Sequence, residues 1–156
     1  MPLWMIYHPE GVFGDLASKQ PLSQSITKIY TDIGFPAFYA VVIFIPVPSQ
    51  NYLIGGEERG PTPFIRFSID HIAVRMTDDQ YRPFTTEIDK ALKPHIEDKG
   101  YDWEYHIGET ERRLWKVNGL NAPPFGSESE KKWVAANRVL PWSEGGVTEP
   151  PPKVSA

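Results

Sequence analysis

The most distinctive candidate for chemistry in this sequence is the proline at its second position. Pro2 directly follows Met1, and a small second residue generally allows the initiator methionine to be removed. Removal would expose the secondary amine of Pro2. An ordinary α-amino group titrates at about 7.7–8.0, and burial or neighbouring arginines lower that pKa further. The amine would then be a neutral general base at physiological pH; the alternative interpretation is that Met-Pro is merely a frequent start.

Other catalytic chemistries have little support in the sequence. It contains no cysteine, which excludes a thiol nucleophile, a disulfide and a thiolate metal site. The Gly55-Gly56 pair is not followed by the lysine of a phosphate-binding loop. We therefore expect neither a metal nor a cofactor, because the histidines also lack the close spacing of a metal site. These histidines are His8, His71, His95 and His106.

Composition and charge limit the classes of partner. With 156 residues, 40% hydrophobic and 23% charged, the chain has the size and balance of one globular domain. The net charge of -4 and the scattered lysines and arginines argue against a nucleic-acid partner, whereas a small anion remains compatible with them. The longest apolar run, 35–47, is interrupted by Pro36 and Pro46. The sequence predicts a cytoplasmic protein with no membrane span and no export signal.

The first third of the chain has the pattern of a βαβ unit. Residues 3–7 are apolar or aromatic and predict a buried strand at the N-terminus. Apolar residues at helical spacing predict a helix over 15–33, with Gly34 as its stop. Residues 38–45 are almost all β-branched or aromatic, which predicts a parallel strand covered on both faces. A short strand ending in a glycine turn is predicted at 52–56.

The same pattern is then repeated. Residues 63–69 resemble 2–7 in proline placement and apolar content, at an offset of 61 residues. Thr77 with Gln80 predicts a capping box that opens a helix continuing to about residue 98, and 102–107 predicts the next strand. Two βαβ units in succession indicate an internal duplication.

The rest of the chain is expected to form an arm and a tail. A short helical stretch at 112–117 and a capped helix at 127–137 follow the second unit, and the proline-rich segment 142–156 is predicted to be disordered. We therefore predict an α/β (α+β) fold with a four-stranded mixed sheet and two helices on one face. A single domain should cover 1–141, and its C-terminal arm, about 108–141, is expected to contact a neighbouring subunit.

Pro2 at the start of a strand, the two βαβ units and the 52–56 segment together resemble the tautomerase superfamily. The stretches MPLWMIYHP and PFIRFSIDHIAVR are similar to fungal members of the branch around cis-3-chloroacrylic acid dehalogenase. The resemblance covers residues 1–138. It implies a homotrimer with the amine of Pro2 in each of three pockets.

This resemblance implies roles for individual residues. Pro2 matches the catalytic amine of the dehalogenase, and Tyr30 replaces the histidine of its first helix. Of the arginine pair that grips its substrate carboxylate, Arg75 matches one and His71 stands in the place of the other. Arginine binds a carboxylate through two donors, whereas histidine offers one donor and a pH-dependent charge; Arg75 could equally be an exposed residue before a helix. Arg66 is a further candidate, because a charge within an apolar strand needs a partner, which a salt bridge or a subunit contact would also provide.

The pair that activates water in the dehalogenase is only partly matched. Its tyrosine corresponds to Tyr105, with His106 as the alternative, because neighbouring residues of a strand face opposite sides. Its glutamate falls near Val117 or Asn118, of which Asn118 is a candidate for substrate binding, although Glu109 and Glu111 lie close in sequence. The incomplete match favours proton transfer over hydrolytic dehalogenation, which needs a base for water in addition to an acid.

The resemblance and the residues together predict tautomerase-type enol–keto proton transfer on a small 2-keto or enol carboxylate. Pro2 would be the general base, while the arginine, histidine and tyrosine candidates bind and polarise the substrate. Two alternatives stay open. The first is a cofactor-independent hydratase or dehalogenase that acts on small unsaturated or 3-halo acids, with protonated Pro2 as the acid. The second is a non-catalytic trimeric binding protein, which retention of Met1 would favour because it turns the Pro2 amine into an amide.

Overall fold

The computed structural model describes residues 1–58, 60–72 and 75–141. No helix in these ranges is long and apolar enough to cross a membrane. The helices are α1 (Leu16–Thr31), α2 (Asp78–Leu92) and α3 (Glu128–Ala136). The strands are β1 (Pro2–Pro9), β2 (Val41–Val47), β3 (Leu53–Ile54), β4 (Glu57–Glu58), β5 (Phe64–Ile72), β6 (Asp102–Thr110), β7 (Lys116–Val117) and β8 (Leu120–Asn121).

The predicted four-stranded mixed sheet is confirmed, with the order β2-β1-β5-β6. Each βαβ unit contributes a parallel pair, β1 with β2 and β5 with β6. The two units meet through the antiparallel pair of β1 and β5, in which Pro2 lies opposite His71. The start of the chain is therefore placed beside the end of β5.

The two long helices pack on one face of this sheet and form the main core with it. α1 contributes Leu22, Ile26 and Tyr30, which are buried at four-residue spacing, and α2 contributes Ile88 and Leu92. Each fully buried aliphatic side chain stabilises the fold by about 1.5–3 kcal/mol. The sheet residues beneath them alternate along the strands and include Trp4, Ile6, Ile65, Phe67 and Ile69.

Both helices open with a capping box, and α2 ends earlier than predicted. The Ser18 backbone N–H donates to Asp15 Oδ1 at 2.8 Å at the start of α1, and Thr77 with Gln80 forms the predicted box at α2. α2 ends at Leu92 and not near residue 98, because Pro94 has no N–H to continue the helical hydrogen bonds. The chain reaches β6 through a 3₁₀ turn and Gly100, whose φ of 70° suits glycine.

β2 differs from its prediction in both start and burial. A 3₁₀ turn over Ala37–Tyr39 follows Pro36, so the strand begins at Val41 and not at residue 38. β2 lies at the edge of the sheet and is only partly covered, with Ile43 44% exposed. The expectation of a strand covered on both faces is therefore wrong for a single subunit, because both long helices pack on the same face of the sheet.

The C-terminal arm folds back onto the N-terminal end of its own chain. The predicted helix at 112–117 is one 3₁₀ turn followed by the β7–β8 hairpin, whereas the capped helix α3 is confirmed. Arm residues form a second core with Tyr39, against which Met1 and Ile72 pack. A contact between the arm and a neighbouring subunit stays a prediction, and the predicted disorder of 142–156 lies outside the described residues. The arm residues of this core are Trp115, Ala122, Trp133 and Leu140.

Candidate active site

The N-terminal end of β1 is fixed by backbone pairing. The Met1 amine donates to the Ile72 carbonyl at 2.7 Å, and the Ile72 N–H donates to the Met1 carbonyl at 2.9 Å. Pro2 is buried and lies opposite His71 in the register of the sheet. The first two residues are thus held in one orientation, as a base at the end of a strand requires.

The surroundings of the chain terminus favour a neutral amine. Burial lowers the pKa of the Met1 amine to about 5, against the opposing effect of the Glu130 carboxylate. An amine with that pKa is almost entirely unprotonated at pH 7. The amine with this lowered pKa belongs to Met1, the residue before Pro2, whose own amine is the predicted base.

His71 is held by a buried chain of hydrogen bonds. Trp4 Nε1 donates to the Tyr30 hydroxyl at 2.9 Å, and that hydroxyl lies 3.0 Å from His71 Nε2. An indole N–H can only donate, so the Tyr30 oxygen accepts from Trp4 and its own hydrogen is donated to His71 Nε2. We assign His71 as the Nδ1–H tautomer on this basis. Tyr30, predicted to bind substrate, orients His71 within this subunit.

His71 itself is a neutral side chain in this position. It is 6% exposed, and its ring packs edge-on against Phe84 at 4.9 Å between centroids. Burial, with a smaller effect of the nearby N-terminal charge, lowers the pKa of His71 to about 4. At pH 7 it offers a neutral N–H donor next to Pro2 and no fixed positive charge.

Aromatic side chains of the second core surround Met1. Tyr39 packs edge-on against Trp115 and Trp133, at 5.2 and 6.3 Å between ring centroids. Three buried polar atoms of this core have no hydrogen-bond partner among the described residues: Tyr39 Oη, Trp115 Nε1 and Trp133 Nε1. An unpaired buried polar group costs about 1–3 kcal/mol. Buried polar atoms are rarely left unpaired in folded proteins, so water or a polar ligand is needed to satisfy these three.

Two charged arm residues that the sequence analysis did not single out lie at the same place. Glu130 is only 3% exposed, and burial raises the pKa of its carboxyl group. The Gly126 N–H donates to Glu130 Oε2 at 2.6 Å. Arg112 donates to the Ala122 carbonyl at 2.5 Å, and its charge opposes the rise in the Glu130 pKa.

The sequence did contain a pattern that involves Glu130, but the pattern predicts a helix start and not a buried carboxylate. Ser127 and Glu130 have the spacing of a capping box, and the Ser127 hydroxyl does accept from the Glu130 N–H at 3.2 Å. The Glu130 carboxylate, however, accepts from Gly126, one residue before the cap. The spacing identified a helix start but could not show that the carboxylate is buried beside the chain terminus.

Tyr105 and Arg66 are not brought to Pro2 within one subunit. Tyr105 lies opposite Phe67, four residues before His71, or about 13 Å along the strands, and its hydroxyl donates to Asp89 Oδ1 at 3.1 Å. Arg66 lies on the opposite face of the sheet, where it forms an ion pair with Glu104 and lies 3.0 Å from His106 Nδ1. The partner that Arg66 needs is thus present in the same subunit, and the roles of both residues toward substrate stay predictions.

Among the described residues, no hydrogen bond or ion pair joins Arg75 or Asn118 to Pro2. Arg75 is exposed, and the lowered pKa of Glu111 at the start of the arm is due mainly to hydrogen bonds from Arg113, with only a minor contribution from the Arg75 charge. Asn118, with a φ of 51°, forms the β7–β8 turn together with Gly119. Within the described residues there is no group of three or more His, Asp or Glu side chains placed to hold a metal ion.

Glu109 is the residue of β6 that lies in register with Pro2 across the sheet. It lies opposite His71, which in turn lies opposite Pro2. Its Oε1 accepts from the Met76 N–H at 2.8 Å, which ties the segment after β5 to the end of β6.

Comparisons with known proteins agree with this architecture. A probable enzyme from the thermophilic fungus Aspergillus fumigatus is 43% identical, with a TM-score of 0.83 over 90% of this chain and 97% of its own. Native RhCC from Rhodococcus jostii is 40% identical, with a TM-score of 0.82 over 89% of this chain and 99% of its own. A member of the cis-3-chloroacrylic acid dehalogenase family has a TM-score of 0.60 over 91% of this chain and 94% of its own, and at 19% identity it supports the fold alone.

The comparison with protein families identifies the family of this chain. A family model described as "Putative oxalocrotonate tautomerase enzyme" matches residues 1–138, whereas no curated protein matches the chain. The match includes Pro2, both βαβ units and most of the arm, and it supports an enzyme of the tautomerase kind. This chain therefore belongs to that oxalocrotonate tautomerase family, within the tautomerase superfamily.

Proposed function

We propose that this chain, once Met1 is removed, catalyses enol–keto proton transfer on a small 2-keto or enol carboxylate, with the amine of Pro2 as general base. The observation that carries the proposal is the desolvated terminus, where burial lowers the pKa of the amine to about 5. Pro2 is itself buried beside His71, so its freed nitrogen, bordered by the space that Met1 leaves, would keep part of this desolvation. A neutral secondary amine with a fixed ring can accept a proton at pH 7.

Neighbouring side chains supply the remaining functions of this proposal. His71 Nε2 is engaged by Tyr30, which leaves the Nδ1–H to donate to the oxygen on which enolate charge develops. Arg75, four residues further along the chain, is proposed to bind the substrate carboxylate through its planar guanidinium group. Because Tyr105 lies about 13 Å along the strands from His71 in its own subunit, its proposed role as a hydrogen-bond donor to the same oxygen would be filled by Tyr105 of a neighbouring subunit.

The proposal includes a homotrimeric, cytoplasmic protein that needs no cofactor. α1 and α2 cover one face of the sheet, while Leu3 and Met5 on the other face are only partly buried in a single subunit. Packing of that face around a three-fold axis would bury it. Light scattering on the purified protein should then give three times the chain mass of 17.7 kDa.

An enol-to-keto assay with matched proline variants tests the catalytic part. The protein is first checked by mass spectrometry for loss of Met1, and the rate is then measured with a small enol carboxylate. Pro2→Ala should lower kcat/KM by about 10²–10⁴-fold, the range of general-base catalysis. Pro63→Ala is the control, because Pro63 stands just before β5 as Pro2 stands at the start of β1. The backbone carbonyl of residue 63 still accepts the hydrogen bond from the Asp102 N–H in this variant.

The outcomes separate this proposal from its alternatives. Equal rates for Pro2→Ala and wild type would remove Pro2 from the mechanism. Halide release from a 3-haloacrylate, without enol–keto turnover, would favour the dehalogenase. Retention of Met1 in protein from the native host would favour the non-catalytic binding protein.

A further inference from the structure

Met1 lies next to Pro2 and packs on the core that the arm forms. Its amine reaches the Ile72 carbonyl at 2.7 Å, and the methionine packs on the core built around Tyr39. Met1 packs on the core that contains Trp133, one helical turn after Glu130, and the charges of the terminal amine and the Glu130 carboxylate act on each other. Removal of Met1 therefore opens a space with the Pro2 nitrogen on one side and Glu130 on the other.

Glu130 is held in place more firmly than a surface glutamate. Its side chain is 3% exposed, and the Gly126 N–H binds Oε2 at 2.6 Å. The described residues provide no hydrogen bond to Oε1. A buried carboxyl group favours its protonated form because desolvation penalises the charge, and a protonated carboxyl group can donate.

Unpaired donors in the same core indicate what ligand the space would accept. Tyr39 Oη, Trp115 Nε1 and Trp133 Nε1 are buried without partners among the described residues. Indole N–H and phenol O–H groups donate to acceptors such as carboxylate oxygens. The aromatic rings that carry them would contact the apolar part of the same ligand.

We propose that Glu130 is the second proton-transfer group of this site, donating a proton to the enol carbon of a small carboxylate bound in the space that Met1 vacates. This inference rests on the function proposed above and assigns the acid that enol–keto transfer needs in addition to the Pro2 base. Glu130 touches the substrate in this arrangement, whereas the unpaired donors of Tyr39, Trp115 and Trp133 bind its carboxylate together with the Arg75 guanidinium group proposed above.

The proton transfers balance. The neutral Pro2 nitrogen takes the proton of the enol O–H, and the electron pair of that bond forms the C=O bond. The π pair of the C=C bond takes the proton of the Glu130 carboxyl group and forms the new C–H bond. The resulting Pro2 ammonium then returns a proton to the Glu130 carboxylate, so no other reactant is consumed.

Glu130→Gln removes the acidic proton with little change in shape, and Glu128→Gln is the matched control. Glu128 lies on the same helix but is exposed, and it pairs with Lys131 at 2.6 Å. We expect Glu130→Gln to lower kcat by about 10²–10⁴-fold, with less than a threefold change in the Kd of a saturated carboxylate analogue. Glu128→Gln should match wild type in both quantities.

The pH profile provides a readout that a purely structural role would not change. The groups that face Glu130 are the chain terminus, Arg112 and Tyr39. Because the acid must be protonated, the wild-type kcat should fall on the alkaline side as Glu130 ionises. The Glu130→Gln variant should lack this fall.

The two variants distinguish a failure of this inference from a failure of the proposed function. If Glu130→Gln keeps the wild-type kcat while Pro2→Ala is inactive, the role of Glu130 is overturned and the proposed function stands. If Pro2→Ala is fully active, the proposed function itself fails. Should Glu130→Gln not fold, Glu130→Asp decides, because a donor withdrawn by one methylene should lose about 10²-fold in kcat; a wild-type kcat there would overturn the inference.

Discussion

Replacing Tyr30 with phenylalanine should disrupt the buried hydrogen bonds that orient His71. The variant removes one oxygen that accepts from Trp4 Nε1 at 2.9 Å and donates to His71 Nε2 at 3.0 Å. Trp4 is fully buried and Tyr30 is 3% exposed, so water cannot replace the lost partner of the indole N–H. The free energy of unfolding should fall by about 2–4 kcal/mol, since each orphaned buried group costs roughly 1–3 kcal/mol.

Two measurements on Tyr30→Phe check this reasoning. Urea unfolding should show the loss of stability, and for a chain of this length it corresponds to a fall in Tm of about 5–15 °C. NMR titration should show the pKa of His71 rising from about 4, because the bond from Tyr30 stabilises the neutral ring.

Tyr81→Phe is the matched control, because Tyr81 is 44% exposed on α2 and its hydroxyl is accessible to water. It should change the unfolding free energy by less than about 0.5 kcal/mol. If Tyr30→Phe is no less stable than Tyr81→Phe and the His71 titration is unchanged, the hydrogen-bond chain does not hold His71 as described.

Two further predictions concern pH and the arm hairpin. An unfolded histidine titrates at about 6.5 and folded His71 at about 4, so between these values only the unfolded chain binds this proton. The free energy of unfolding should therefore fall by up to roughly 3 kcal/mol from pH 6.5 to 4. The fall should be smaller in His71→Asn, and an equal pH dependence of the urea-unfolding free energy in both proteins would contradict this. Asn118 has a φ of 51°, so Asn118→Ala should lose about 1 kcal/mol while Asn118→Gly keeps both stability and activity; a loss of substrate affinity in Asn118→Gly would instead support its predicted binding role.

The two βαβ units were predictable because their signals are local. Apolar spacing of four residues in α1, Gly34 shortly after that helix and the Thr77–Gln80 box of α2 indicate these elements without knowledge of the rest of the chain. The start of β2 was misplaced because a run of apolar and aromatic residues does not distinguish a strand from the 3₁₀ turn that Pro36 opens. The burial of β2 was misjudged because it depends on which face of the sheet the helices cover, and the sequence of the strand does not show this.

The surroundings of the chain terminus were less predictable than the fold. Pro2 and His71 could be proposed from the sequence, but their pairing needs the antiparallel register of β1 and β5. Glu130 lies more than a hundred residues from Met1 in sequence, so only the folding of the arm shows that they are close. Tyr105 illustrates the opposite limit, since alternation along β6 predicts its face but not its distance along the strand from Pro2.

The most direct test of the account is the ionisation of the Pro2 nitrogen. Protein is prepared without Met1, labelled with ¹⁵N-proline, and the shift of the N-terminal nitrogen is followed from pH 4 to 10. The account predicts a secondary amine whose pKa lies below the ordinary α-amino range of about 7.7–8.0. A pKa within or above that range would mean that Pro2 is protonated at neutral pH and cannot be the base.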